Sequence, residues 1–122
     1  MILQPNTSVG VTWHKTVSAA TTNATSVSTA GTALYYIHAS NANAAVRYLK
    51  IYNKASAPTV GTDTPSITLM LPAANQAMMS FLPYGIRFPA GVGFALTTEA
   101  TDAGTTAVSA SEHIVHIGYT SE

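Results

Sequence analysis

Apolar and polar positions alternate in short runs down most of the chain, and clusters of Gly, Pro, Asn and Ser/Thr separate the runs. Helical periodicity over a full window is hard to find. The first run, residues 9–17, sets Val9, Val11, Trp13, Lys15 and Val17 against Gly10, Thr12, His14 and Thr16, which predicts a strand with one apolar face. Residues 18–32 are almost all small and polar, with Val27 alone carrying bulk, and predict a weak edge strand or a loop. Residues 33–39 and 46–54 form the strongest pair of strands. In the second, Leu49 and Ile51 face one way while Tyr48, Lys50, Tyr52 and Lys54 face the other.

Further on, residues 55–65 hold two prolines, Gly61 and Asp63 and predict a loop. Strands come next at 66–71, ended by Pro72, and at 76–82, ended by Pro83, with a short bent piece at 85–89. Residues 91–98 place Val92, Phe94 and Leu96 on one face and Gly93, Ala95 and Thr97 on the other, so the second face must be closely approached. Residues 99–111 predict the longest loop, and 112–120 a last strand in which Val115, Ile117 and Tyr119 share a face. Seven to nine short strands without a helical crossover predict an all-β fold, a single antiparallel β-sandwich of the jelly-roll kind. The 122 residues form one domain, with about 1–10 expected as an extended N-terminal arm.

Charge narrows the functional classes. Five basic and five acidic residues balance to a net charge of zero, and 8% charged residues is far below the usual quarter of a soluble domain. No basic face for nucleic acid or anionic lipid is expected. No stretch approaches the roughly 20 apolar residues of a membrane helix, and Met1 to Asn6 lacks the charged and apolar regions of a secretion signal. The absence of cysteine removes disulfides, thiolate metal sites and cysteine nucleophiles. Ala, Thr and Ser number 20, 18 and 11, or 49 residues of 122, so the exterior is either neutral and polar or covered by partners. Covered by partners, as a subunit of an assembly, is the reading this composition favours.

Candidate chemistry is sparse. His113 and His116, three apart on a strand, point to opposite faces and cannot converge on one metal ion without a bulge. Glu112 and His116 share a face but lie about 13 Å apart, and both read as solvated positions at the sheet surface. Glu99 and Asp102 sit at the mouth of the long loop, where nothing holds them facing each other for acid–base work. Asp63 is expected to accept backbone N–H groups in a turn. No nucleotide, metalloprotease or serine-hydrolase motif occurs, and neither catalytic groups, metal nor cofactor is expected. An enzyme would have to assemble His38, His113 and Glu112 from distant strands. Tyr48 and Tyr52, flanking Lys50, read as a subunit contact or as cover for a second layer ahead of a sugar platform. Trp13 is a core anchor or a binding residue, and Arg47 and Arg87 are salt-bridge candidates, to a partner or within the chain.

The run from Arg47 through Tyr48, Leu49, Lys50, Ile51 and Tyr52 to Gly61, Asp63 and Pro65 resembles a segment of small virion structural proteins of tailed bacteriophages. Leu71-Pro72-Ala73, Gly85-Ile86-Arg87-Phe88, Gly91-Val92 and Thr105-Thr106-Ala107-Val108 are similar in order and spacing, so the resemblance spans roughly residues 45–120. It implies a capsid cement or decoration protein on the outer surface of the head, made in the host cytoplasm, bound across subunits of the major capsid protein and to itself as a dimer or trimer. Similar sequences also occur among tail components, which keeps a tail or baseplate structural or glycan-binding module as the alternative. The expected contacts are Trp13, Arg47, Tyr48, Tyr52 and Arg87. Replacing Tyr48 and Tyr52 together by alanine is expected to weaken association while leaving a cooperative fold.

Overall fold

A computed structural model describes residues 10–122, and the expected N-terminal arm and Val9 lie outside the described residues. Nine strands form in chain order: β1 Thr12–Val17, β2 Thr25–Ser28, β3 Thr32–Asn41, β4 Arg47–Asn53, β5 Ile67–Leu71, β6 Asn75–Ser80, β7 Ile86–Phe88, β8 Val92–Thr97 and β9 His113–Ser121. All their pairings are antiparallel. One sheet runs β1-β9-β3-β6, with β7 also paired to β3; the other runs β2-β8-β4-β5. The pairings nest: β1 with β9, β2 with β8, β3 with β6 and β4 with β5. Pairing of β3 with β9 and of β4 with β8 then closes each sheet.

The sheets pack through Leu34, Ile37, Val115 and Ile117 from the first and Leu49, Ile51, Phe94 and Leu96 from the second. Each such burial contributes about 1.5–3 kcal/mol. Leu34 and Ile37 are three apart yet both face inward, because the β3–β9 register shifts between Leu34 and Tyr36 and the bulge resets the alternation.

The expected β-sandwich is therefore present, and the weak segment 18–32 contains the four-residue edge strand β2 and, at its end, the first residue of β3. The small-residue face of β8 is approached as its sequence requires. A Cβ on Gly93 would meet Pro58 Cδ and the Thr25 carbonyl, each at 3.1 Å, so the 54–66 connection lies directly on that strand.

The first strand departs from its sequence pattern. Its polar side turns inward, with the His14 ring edge-on to Phe94 at 6.1 Å, while Val11, Trp13 and Val17 are exposed. Ser18 supplies the reason. Its buried hydroxyl accepts from the backbone N–H groups of Glu112 and His113, both at 3.0 Å, and donates to the Ser109 carbonyl at 2.8 Å. With Ser18 fixed inward, the two-residue period puts Thr16 and His14 inward and Val17, Lys15 and Trp13 outward.

Candidate functional site

The two outer faces of the sandwich differ. Over β2-β8-β4-β5 the connections 54–66 and 98–112 fold back on the sheet and on each other, since a Cβ on Gly61 would strike Thr105 Cγ2 at 2.6 Å. Beneath them Lys50 is 0% exposed, its Nζ donating to the carbonyls of Thr101 at 2.6 Å and Gly104 at 3.3 Å. Burial lowers the Lys50 ammonium from its ordinary range, against the opposing pull of Glu99 and Asp102. Tyr52 is 1% exposed, and its hydroxyl has no hydrogen-bond partner among the described residues. Burial, with Asp63 and Asp102 nearby, raises its phenol.

Polar ties hold the covering loops in place. Glu99 accepts from the Thr106 hydroxyl at 2.8 Å and the Thr106 N–H at 2.9 Å, contacts that hold its carboxyl below the ordinary range. Asp63 accepts from Lys54 Nζ at 2.5 Å and the Thr59 N–H at 2.7 Å and is lowered in the same way, which bears out its expected turn role. Tyr52 is accordingly withdrawn from the expected contact residues: the chain's own loops occupy the face it shares with Lys50. Tyr48, at the end of that face, is half-buried.

Among the described residues, nothing covers the outside of β1-β9-β3-β6. Apart from Met70 on β5, every large exposed apolar side chain among the described residues lies on or beside this sheet and its β6–β7 turn, from Trp13 at 51% and Met78 at 58% to Tyr84 at 88%. Three cross-strand rows follow from the register: Trp13, Gly118, Tyr36 and Ser80; Lys15, His116, His38 and Met78; Val17, Ile114, Ser40 and Gln76. Gly118 is the keystone of the first row. A Cβ there would come within 2.8 Å of Trp13 Cζ3, so the indole rests over bare backbone. From that seat it stacks with Tyr36 and with His116, ring centroids 5.6 Å apart in each pair and planes within 27° and 20°. The His116 and His38 centroids are 5.7 Å apart, and His38 Nε2 lies 2.6 Å from Gln76 Oε1. Burial, then the nearby His38 and Lys15, lower the His116 imidazole from its ordinary value.

The remaining expected residues are committed elsewhere. Arg47 Nε meets Glu112 Oε2 at 3.3 Å, and Arg87 pairs with Glu122. Both arginines thus take the intramolecular option rather than standing free for a partner. Glu112, expected as a solvated surface position, is buried: Asn43 donates to its Oε1, and His113 Nε2 lies 2.7 Å from its Oε2. Burial alone would raise this carboxyl, and Asn43, the Ser109 N–H and His113 outweigh it to leave the group below its ordinary value. His113, also buried, faces the Ser40 carbonyl with Nδ1 at 3.2 Å. His38 sits on the opposite face of the same sheet, so the three residues considered for catalysis are not brought together. No group of three or more metal-ligating side chains occurs among the described residues.

Sequence reasoning identified Trp13 but not the platform around it. The cross-strand position of Gly118, which makes room for the ring, is a register property that no local pattern encodes. Comparison with protein-family models, curated proteins and solved structures finds no match to this chain.

Proposed function

We propose that this chain is a bacteriophage virion structural protein, a cement or decoration subunit that stabilises the head by burying its bare sheet face across subunits of the major capsid protein. The observation that carries the reading is the asymmetry of the sandwich. One outer face is closed by the chain's own loops, and the other presents Trp13, Val17, Met78 and Ile114 to water, with Lys15 as the one lysine or arginine on its three cross-strand rows. An exposed apolar surface rimmed by polar groups marks an interaction site, and aromatic anchors concentrate binding energy. A subunit of this kind works through copy number, because many modest contacts must be lost together before a strained shell can open. The edge of β1, unpaired among the described residues, also suits self-association into a dimer or trimer.

Two further points support the reading. The sequence resembles small virion proteins, and the nested strand pairing suits a jelly roll, an architecture shared by capsid and lectin domains. The second point is fold-level analogy and adds weight only beside the face itself. A stacked, half-exposed indole is also the platform a glycan-binding tail module would use, and binding of the isolated protein to a glycan array favours that alternative.

Trp13→Ala tests the assignment. Its side chain is half exposed on an edge strand but stacks on two rings, so the fold is expected to lose about 1–3 kcal/mol and to remain cooperative. Occupancy on particles is expected to drop at least about tenfold, the loss of a central aromatic anchor. Unchanged occupancy removes the bare face as the contact surface.

A further inference from the structure

The charges of this chain are almost entirely spoken for. Arg47 pairs with Glu112, Lys54 with Asp63 and Arg87 with Glu122, while Lys50 is buried against two carbonyls. That leaves Lys15 as the one lysine or arginine among the described residues with no ion pair and no buried acceptor, and it stands exposed on the bare face opposite His116. All five acidic residues of the chain are described, and none is on the rows around it. Asp63, Glu99 and Asp102 belong to the connections covering the other sheet, Glu112 is buried with Arg47, and Glu122 lies beyond β9 on Arg87.

We infer that the bare face binds its partner through a carboxylate seated between Lys15 and the His38–His116 pair, with an apolar group of the same partner lying on Trp13. The inference rests on the reading of this face as the contact surface and names the chemistry that fits it. Charge complementarity selects the occupant: Lys15, flanked by the imidazoles of His116 and His38 and with no acidic residue on these rows, is an uncompensated positive charge that an incoming anion balances. Trp13, within 5.6 Å of His116, supplies the apolar half of the same site. A lone anion such as phosphate lacks the group that would cover the indole.

The groups facing His116 are Lys15 on β1 and His38 on β3; Gln76 and Met78 of β6, beyond His38, are neutral, and His14 lies on the inner side of β1. Burial first, then His38 and Lys15, hold His116 toward its neutral form, and a bound carboxylate opposes the repulsive part of that effect. Binding is therefore accompanied by proton uptake. Affinity rises as pH falls through and below the ordinary imidazole value, about 6.5, and declines again near about pH 4, where the ligand's own carboxyl protonates.

The test uses 3-phenylpropionate as probe, an apolar ring bearing one carboxylate, with 3-phenylpropionamide as its neutral counterpart. Binding to the whole chain is followed by NMR at the Trp13 indole and the His116 ring. The acid is expected to bind several-fold more tightly than the amide, to tighten about tenfold over that fall in pH, and to lose its advantage in Lys15→Met. Equal binding of acid and amide, or acid binding that ignores pH and Lys15→Met, overturns the carboxylate while leaving the apolar contact face standing. Absence of any saturable shift at Trp13 and His116 from either probe overturns the site. Failure of the contact-face reading shows separately, as full particle occupancy by Trp13→Ala.

Discussion

Glu112→Gln is expected to destabilise the fold by about 1–3 kcal/mol at neutral pH, the range for weakening a buried, charge-assisted hydrogen-bond network. The substitution keeps the shape of the side chain and deletes its charge, leaving Arg47 and the buried His113 facing a neutral amide, with Asn43 and the Ser109 N–H beside it. The pH dependence stems from the lowered Glu112 carboxyl. A group that binds its proton more weakly when folded than when unfolded contributes stability above its ordinary value, near pH 4.3, and that contribution disappears as pH falls through its folded value. The gap between wild type and Glu112→Gln in urea denaturation should thus be widest near neutrality and close progressively below about pH 4.3. Asp63 and Glu99, lowered by their own hydrogen bonds, give the wild type acid sensitivity of the same sign. A gap that stays constant down to acid pH would show that the network contributes shape without charge.

Tyr52→Ala is expected to cost about 3–5 kcal/mol, as for other large aromatic truncations in a core. The sequence alone read this ring as a subunit contact or as cover for a second layer, and the structure takes the second option. The structure puts it under two loops, so truncation opens a cavity between sheet and cover. Tyr52→Phe separates packing from polarity. The hydroxyl is buried without a partner among the described residues, so its removal is expected to be neutral or slightly stabilising. Both variants are read by chemical denaturation. A loss below about 1 kcal/mol for Tyr52→Ala would mean that the loops do not cover this face in solution. The paired replacement of Tyr48 and Tyr52 accordingly reports on folding, and Trp13 takes over as the probe of association.

Features set by the two-residue period and by chain breakers were legible in the sequence. Leu49 and Ile51 inward, Val92, Phe94 and Leu96 on one face, Pro72 after β5 and the short bent β7 were all readable, because each depends on neighbours a few positions away. The small face of β8 even announced its cover. Which strand face turns inward is decided by partners far along the chain, and there local reading failed. For β1, the apolar side reads as the inner one. Ser18, hydrogen-bonded to residues more than 90 positions later, imposes the opposite choice. Lys50 misleads for the same kind of reason: a lysine in an alternating strand reads as solvent-facing until carbonyls from a loop about 50 residues on close over it. The candidate site is a cross-strand object of this type, since Trp13, Gly118 and Tyr36 come from three separate strands. The Glu112 network likewise draws on the β3–β4 connection and the end of the long loop.

The central claim is that the chain is a shell-bound virion subunit, and its copy number in purified virions, relative to the major shell protein, tests that most directly. Quantitative mass spectrometry is expected to give a ratio near one, or a simple fraction of it, as a lattice-bound cement requires. A few copies per particle would place the chain in the tail or neck instead, and its absence from the virion would contradict the account outright.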